Sequence, residues 1–444
     1  MKQLTTLLLL ILAIGCTQIT REEKVVQVPP EALHGAMQQL TDVIVHDIFS
    51  PPVASRIYAY ATVGAYEVLA QHDSAFIPLS GQLQGLEPLP QPEASVNHKV
   101  VAVDAFLRIG EKLIFSEDKI KEYREGWYAE LRKEGISERI LENSLVHSQT
   151  VTDHVKAWAD EDMYKETRTY QRHPIGTEDW EWQPTPPAYM EAIEPHWNKI
   201  RTFVLDSAGQ FKPDPPTDFS LDKGAPFYKE IMQVYETGRD LTEEQKEIAS
   251  FWDCNPYVMN VRGHVMFATK KITPGGHWMG ITKIACQKDD ASLMRSAEAY
   301  ALTSVALADG FISCWDEKYR SNLIRPETVI NRHIDEDWTP LLQTPPFPEY
   351  PSGHSVISTA AAEMLTSLFG ENFDFTDSTE ADFGLPARDF TSFRQASEEA
   401  AMSRLYGGIH YMPAIENGVE EGRSVGQYLI ANIKTRKSLM ASNE

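Results

Sequence analysis

Over most of this chain apolar residues recur three and four positions apart, and nowhere do they alternate with polar ones for long enough to build a sheet. That pattern commits the fold to packed amphipathic helices. Val43 to His72 and Ser95 to Phe115 show the spacing, and Ser116 is placed to cap a turn that opens with Glu117 and Asp118, acids that suit the positive end of a helix. Ser137 starts another long helix, with Ile140, Leu145, Val151, Val155 and Trp158 sharing a broad face. Thr242-Glu-Glu-Gln245 reads as a capping box, and a further long helix is expected from about Asp290 to Ile324. The expected architecture is all-α, a helical bundle with long Pro/Trp-rich loops.

With 444 residues, 42% hydrophobic and 24% charged, the chain is long enough for a sizeable core and is not disordered. Its 41 basic against 64 acidic residues, a formal charge of −23, exclude a surface that grips nucleic acid or anionic lipid over a wide area. Any anion bound here needs a local cluster of cations.

Met1 to Gly15 carries one charge, Lys2, before an apolar run from Leu7 to Ile14 that is too short to span a bilayer and suits a signal-peptide core. Its end, Leu12-Ala13-Ile14-Gly15-Cys16, resembles a bacterial lipoprotein signal. The resemblance implies lipidation at Cys16 and an exported lipoprotein of the cell envelope at the outer membrane, with plain secretion as the alternative. The membrane is then touched only through the lipid anchor, since Tyr300 to Trp315, the best transmembrane candidate, is broken by Asp309. Residues 16–31 read as a tether, 32–240 as an N-terminal helical half with a long loop, 241–436 as a C-terminal core and 437–444 as a tail. Cys254, Cys286 and Cys314 allow at most one disulfide, and no CxxC or Cys/His spacing suggests zinc.

Between Gln171 and Asp218 the periodicity lapses. Eight prolines and the tryptophans Trp180, Trp182 and Trp197 fall in this stretch, which is expected to be an ordered loop wrapped over the helical body. It separates two halves of one folded unit.

Three short segments of the second half carry chemistry. In Lys318-Tyr-Arg-Ser-Asn-Leu-Ile-Arg325-Pro326 the seven-residue interval leaves the two cations roughly 20° apart around a helix and about two turns along it, so both can aim at one ligand. Pro326 is expected to end that helix at Arg325. Pro351-Ser352-Gly353-His354 gives a tight turn into a helix whose free N–H groups make an anion site, with His354 close enough to exchange a proton. In Ser403-Arg404-Leu-Tyr-Gly407-Gly408-Ile-His410 the glycines must bend the chain before Arg404 and His410 face one point.

Taken together and in this order, these segments resemble the superfamily that joins vanadium-dependent haloperoxidases, type 2 phosphatidic-acid phosphatases and bacterial acid phosphatases. The pattern Lys, six residues, Arg-Pro; Pro-Ser-Gly-His; Ser-Arg, five residues, His is complete here. The resemblance covers about Thr242 to Ile433, and reaches the first half only in its helical character and in Glu194-Pro195-His196-Trp197. It implies that Lys318, Arg325, Ser352, Gly353 and Arg404 hold an oxyanion, that His410 bonds its central atom, the vanadium of vanadate in the peroxidases, and that His354 is the acid/base. Lys318 would also be catalytic, activating peroxide for attack by halide.

Length, the added helical half, Trp315 and Phe347 look like the haloperoxidase branch, whose partners are hydrogen peroxide and halide. Asn255-Pro256-Tyr257 and Gly275-Gly276-His277-Trp278 look most like bacterial members that oxidise iodide, and Tyr257 stands where chloroperoxidases place an acidic residue. The implied activity is oxidation of iodide, with bromide second. Two alternatives stay open here: a soluble acid phosphatase working through a phosphohistidine at His410, and a lipoprotein that binds an oxyanion without turnover.

Overall fold

The helical pattern becomes fourteen α-helices among the described residues, which are 26–262, 265–268 and 270–437 of the computed structural model. The leader, Cys16 and residues 438–444 lie outside them. In the first half stand α1 (Pro30–Asp47), α2 (Pro51–Ala70), α3 (His98–Glu111), α4 (Glu117–Glu134), α5 (Glu138–Asp160) and the short α6 (Tyr164–Thr167). The second half begins with α7 (Pro226–Arg239), α8 (Glu243–Phe251), α9 (Pro274–Lys288) and α10 (Leu293–Ser321). It continues through α11 (Pro326–His333), α12 (Gly353–Phe369), α13 (Phe393–Tyr406) and α14 (Met412–Asn432). Two antiparallel ribbons are the strand pairs among the described residues: β1 (Met259–Arg262) with β2 (Val265–Ala268), and β3 (Phe375–Asp377) with β4 (Arg388–Phe390). The fold is all-α, as its periodicity requires.

Helix α10 packs on α2 in the first half and on α12 in the second, and α2 is buried along its whole length. One apolar cluster accordingly runs from Val26 to Ile433 through both halves. The capping box forms at Thr242 and Gln245. Three local expectations are corrected. The run from Val43 to His72 is two helices, because Ile48 turns left-handed (φ 56°) and Pro51 and Pro52 start a new helix capped by Ser50. Ser116 makes no side-chain cap; its hydroxyl donates to Asp47 instead, and Asp47 also accepts the N–H groups of Phe115 and Ser116, each at 2.9 Å. The segment read as tether is packed from Val26 onward, with Val26 and Val28 in the core and α1 starting at Pro30.

The proline-rich stretch is held as an ordered cover. Asp309, the residue that interrupts the apolar run of α10, accepts the N–H groups of Phe203, Val204 and Leu205 at 2.7, 2.8 and 3.1 Å. Farther along α10, the Ile193 carbonyl accepts the Tyr319 hydroxyl at 2.5 Å and the Trp315 indole N–H at 3.3 Å. The loop is thus tied to the helix that carries Lys318.

Helices α12 and α14 approach closely along a row of glycines. A Cβ on Gly418 would lie 3.0 Å from the Ser352 carbonyl, on Gly422 2.2 Å from that of Val356, and on Gly426 3.1 Å from that of Ala360. Backbone cannot move aside as a flexible side chain can, so this contact fixes the start of α12 against the segment following His410. Replacing Gly422 with Ala should cost about 1–3 kcal/mol through overpacking, seen as a lower thermal midpoint; an unchanged midpoint would show that the two helices separate freely.

Candidate active site

The three motif segments converge through different local devices. Asn322 adopts a left-handed conformation (φ 46°) and stops α10 at Ser321, so Lys318 lies in its last turn. Arg325 is not two turns farther along the same helix, as the spacing suggested; it sits in extended backbone as the N-cap of α11. The two cations therefore meet by a chain reversal. Ser352 caps α12, its Oγ accepting the Ser355 N–H at 3.3 Å and keeping its own proton to donate. Gly408 (φ 75°) bends the chain after α13 and swings His410 back beside Arg404, as the glycine pair required.

Lys318, Arg325 and Arg404 are each 2% exposed or less. The ammonium of Lys318 donates to the carbonyls of Pro348 and Glu349 at 3.1 Å and Pro351 at 2.5 Å. Since an ammonium has three hydrogens, Lys318 contributes its charge to the cavity and would reach a ligand only by giving up a carbonyl. Arg325 donates to Phe347 O at 2.9 Å and Ile409 O at 2.8 Å, and its Nη2 is buried with no partner among the described residues. Arg404 donates to Ser403 Oγ at 2.9 Å and to Trp252 O at 2.6 Å. Burial pushes Lys318 down to about 8 and Arg325 down to about 10.

The imidazole states follow from these partners. Arg325 Nη1 lies 3.1 Å from His410 Nε2, and a guanidinium can only donate, so Nε2 carries a lone pair. Nδ1 then carries the proton and donates to Glu349 Oε1 at 2.8 Å. Burial, with Arg325 next, holds His410 well below the ordinary imidazole range. His354, in the first turn of α12, is likewise depressed by burial and then by Arg404, and its Nε2 is buried without a partner among the described residues. Both rings are neutral near pH 7.

His354, His410, Arg404 and Gly353 face a cavity of about 40 Å³ walled by Phe311, Trp315, Phe347 and Tyr257. One water needs roughly 10–15 Å³ on such a scale, so the space suits a few oxygen atoms rather than a nucleotide. A Cβ on Gly353 would lie 3.5 Å from the Trp315 ring and 3.8 Å from Lys318 Cε, filling the floor. Trp315 is at once core and wall: its ring lies 5.0 Å from Phe347, which in turn lies 5.2 Å from both Lys318 Nζ and the Arg325 guanidinium carbon. Tyr257 reaches the wall, but its hydroxyl meets Ser50, with Glu194 and Arg168 near; burial and Glu194 push it up.

Sequence reasoning missed Glu349. Fully buried, it also accepts the Tyr411 N–H at 2.9 Å, and burial pushes its carboxyl up to about 7 against the pull of Arg325 and Lys318. A search for a carboxylate to orient the His410 imidazole could have found it in Pro348-Glu-Tyr-Pro351, just before the Ser352 turn.

Known proteins share this fold. The family model described as VCPO second helical-bundle domain matches residues 298–437. A crystal structure described as the first bacterial vanadium-dependent iodoperoxidase matches with 49% identity and a TM-score of 0.89, over 94% of this chain and 100% of that one. A bacterial vanadium-dependent chloroperoxidase matches at 15% identity in its holo form (TM-score 0.65, 87% of this chain, 93% of that one). Its apo form does so at 15% (TM-score 0.66, 86% and 94%); these two show the shared fold. Among curated proteins nothing matches.

Glu349→Gln keeps the shape but weakens the grip on His410 Nδ1–H. Affinity for a tetrahedral oxyanion, read by calorimetry with orthophosphate, should fall about 10–100-fold; unaltered affinity would mean that Glu349 does not orient the ring.

Proposed function

Because the chain belongs to the vanadium-dependent haloperoxidases, we propose that it oxidises iodide, and bromide less readily, with hydrogen peroxide to a hypohalous acid equivalent. The observation that carries this reading is a small cavity lined by Arg404, His354 and His410, with buried Arg325 behind it donating to the His410 Nε2 lone pair. Unpartnered N–H groups on Arg325 Nη2 are costly in a buried site and fit an anion's oxygens. Arg325, Arg404, Ser352 and the Gly353 N–H would hold vanadate, Lys318 would add charge, and His410 Nε2 would bond the vanadium. When bound, vanadate supplies a Lewis-acidic centre that activates peroxide as an oxygen donor.

The chain's own groups do the rest. The cations are preorganised by backbone carbonyls, and the one adjustment on loading would be that Arg325 Nη1 leaves the His410 Nε2 lone pair. His354 Nε2, neutral and facing the cavity, takes a proton from entering hydrogen peroxide and returns it to a departing oxygen. Phe311, Trp315 and Phe347 limit bulk water. The cost of taking an ion out of water falls with ionic size, so an aromatic wall favours iodide among the halides. That preference is supported by the iodoperoxidase match and by a Tyr257 hydroxyl turned to Ser50 and Glu194. We also propose export and anchoring through a lipidated Cys16; Cys16→Ala should shift the protein from the membrane to the soluble fraction in cell fractionation, and equal membrane retention would remove the anchor.

Peroxide-dependent triiodide formation should appear on incubating the protein with orthovanadate and fall as phosphate is added in competition. His354→Ala should lose about 10²–10⁴ in rate while retaining vanadium. Hydrolysis of a chromogenic phosphate ester by vanadate-free protein, with no halide oxidation after loading, would instead establish a phosphatase.

A further inference from the structure

At the wall of the cavity, which Cys254 itself lines, three buried side chains from separate segments bring metal-ligating atoms together. Cys254 follows α8, His277 lies in the first turns of α9, and Glu380 lies between β3 and β4. Cys254 Sγ is 3.4 Å from His277 Nδ1 and 3.7 Å from Glu380 Oε1, and His277 Nδ1 is 3.2 Å from the same oxygen. A triangle with those sides has a centre about 2.0 Å from each corner, so an ion just off its plane sits at the roughly 2.0–2.3 Å that zinc takes with N, O and S. Such an arrangement leaves a fourth coordination position open.

The second ring nitrogen is an independent pointer. His277 Nε2 lies 2.7 Å from Asp377 Oδ2, and Asp377 Oδ1 accepts the Thr379 N–H at 2.9 Å. A metal-ligating imidazole characteristically donates its other N–H to a carboxylate, which aims the lone pair at the ion. Here Nδ1 faces Cys254 and Glu380, and in the ion-free cluster it carries a proton toward the Glu380 carboxylate that a bound ion would replace. Two carboxylates and a thiol suit a cation and repel an oxyanion, so this cluster differs in kind from the pocket beside it.

We propose that Cys254, His277 and Glu380 bind a divalent metal ion of the zinc class, oriented by Asp377, and that the ion braces the wall of the oxyanion pocket. Trp252 stacks on His277 (4.5 Å between ring centres, 16° between planes), and its carbonyl accepts a hydrogen bond from Arg404. Holding Cys254 therefore holds the segment that positions Arg404. On loading, the thiol proton of Cys254 leaves, as does any proton on His277 Nδ1; three lone pairs enter the ion's coordination sphere and no electron is transferred. Separated by more than a hundred residues at the widest, the ligands show no zinc spacing in the sequence.

The full chain, treated with chelator and then given zinc sulfate and orthovanadate, is passed through gel filtration and its zinc and vanadium are measured by mass spectrometry. One zinc retained per chain is expected. Cobalt(II) in its place should give a thiolate-to-metal charge-transfer band and visible bands of four-coordinate strength, a readout that needs no variant. Cys254→Ser should abolish the charge-transfer band, and Glu380→Gln should weaken zinc binding about 10-fold or more. Retention of no zinc, a cobalt spectrum without the thiolate band, or zinc binding untouched by either substitution overturns the proposal. Vanadium in the same samples reports on the oxyanion pocket, so failure of one site is not read as failure of the other.

Discussion

Burying three cations around one small space is the constraint on which the rest of this structure depends. Each costs several kcal/mol to take from water unless its hydrogen-bonding capacity is met. Much of that capacity is met by backbone carbonyls, those of Pro348, Glu349 and Pro351 for Lys318, Phe347 and Ile409 for Arg325, and Trp252 for Arg404. Those carbonyls lie in connections between helices, so the loops must be as well placed as the helices. What remains unmet among the described residues, Arg325 Nη2 above all, is buried on the guanidinium that meets His410.

The same positive field separates the roles of the two histidines. His410 is pinned between a guanidinium and a carboxylate, which leaves Nδ1–H on Glu349 and the lone pair on Nε2. His354 Nε2 has no partner among the described residues, and its depressed proton affinity comes from burial and from Arg404. One ring is thereby suited to hold a central atom and the other to pass a proton, although their side chains are chemically identical.

Rigidity comes from packing at some distance from the cavity. The glycine row of α14 lets it press against α12 backbone to backbone, which ties the turn at Ser352 to the segment after His410. Asp309 gathers three loop N–H groups onto the middle of α10, so the proline-rich stretch closes over the helix bearing Lys318. Neither contact touches the cavity, yet each removes a freedom that would blur it.

Helical class, the capping box at Thr242 and the inward turn of His410 were legible from the sequence, because periodicity, caps and glycine conformation are local properties of the backbone. The residues proposed to hold an oxyanion were legible as types at fixed intervals, and their spacing could be compared with a family. That spacing misplaced Arg325, since nothing in a periodic reading shows that Asn322 turns left-handed and reverses the chain. Nor could it find Glu349 as partner to His410, or bring Cys254, His277, Asp377 and Glu380 together, since such pairs are joined only by packing across distant segments. The sequence by itself determined which elements form and which charged groups must share a site; which atom of each group faces the cavity, and in what protonation state, was decided by tertiary contacts, because only they set desolvation and hydrogen-bond direction.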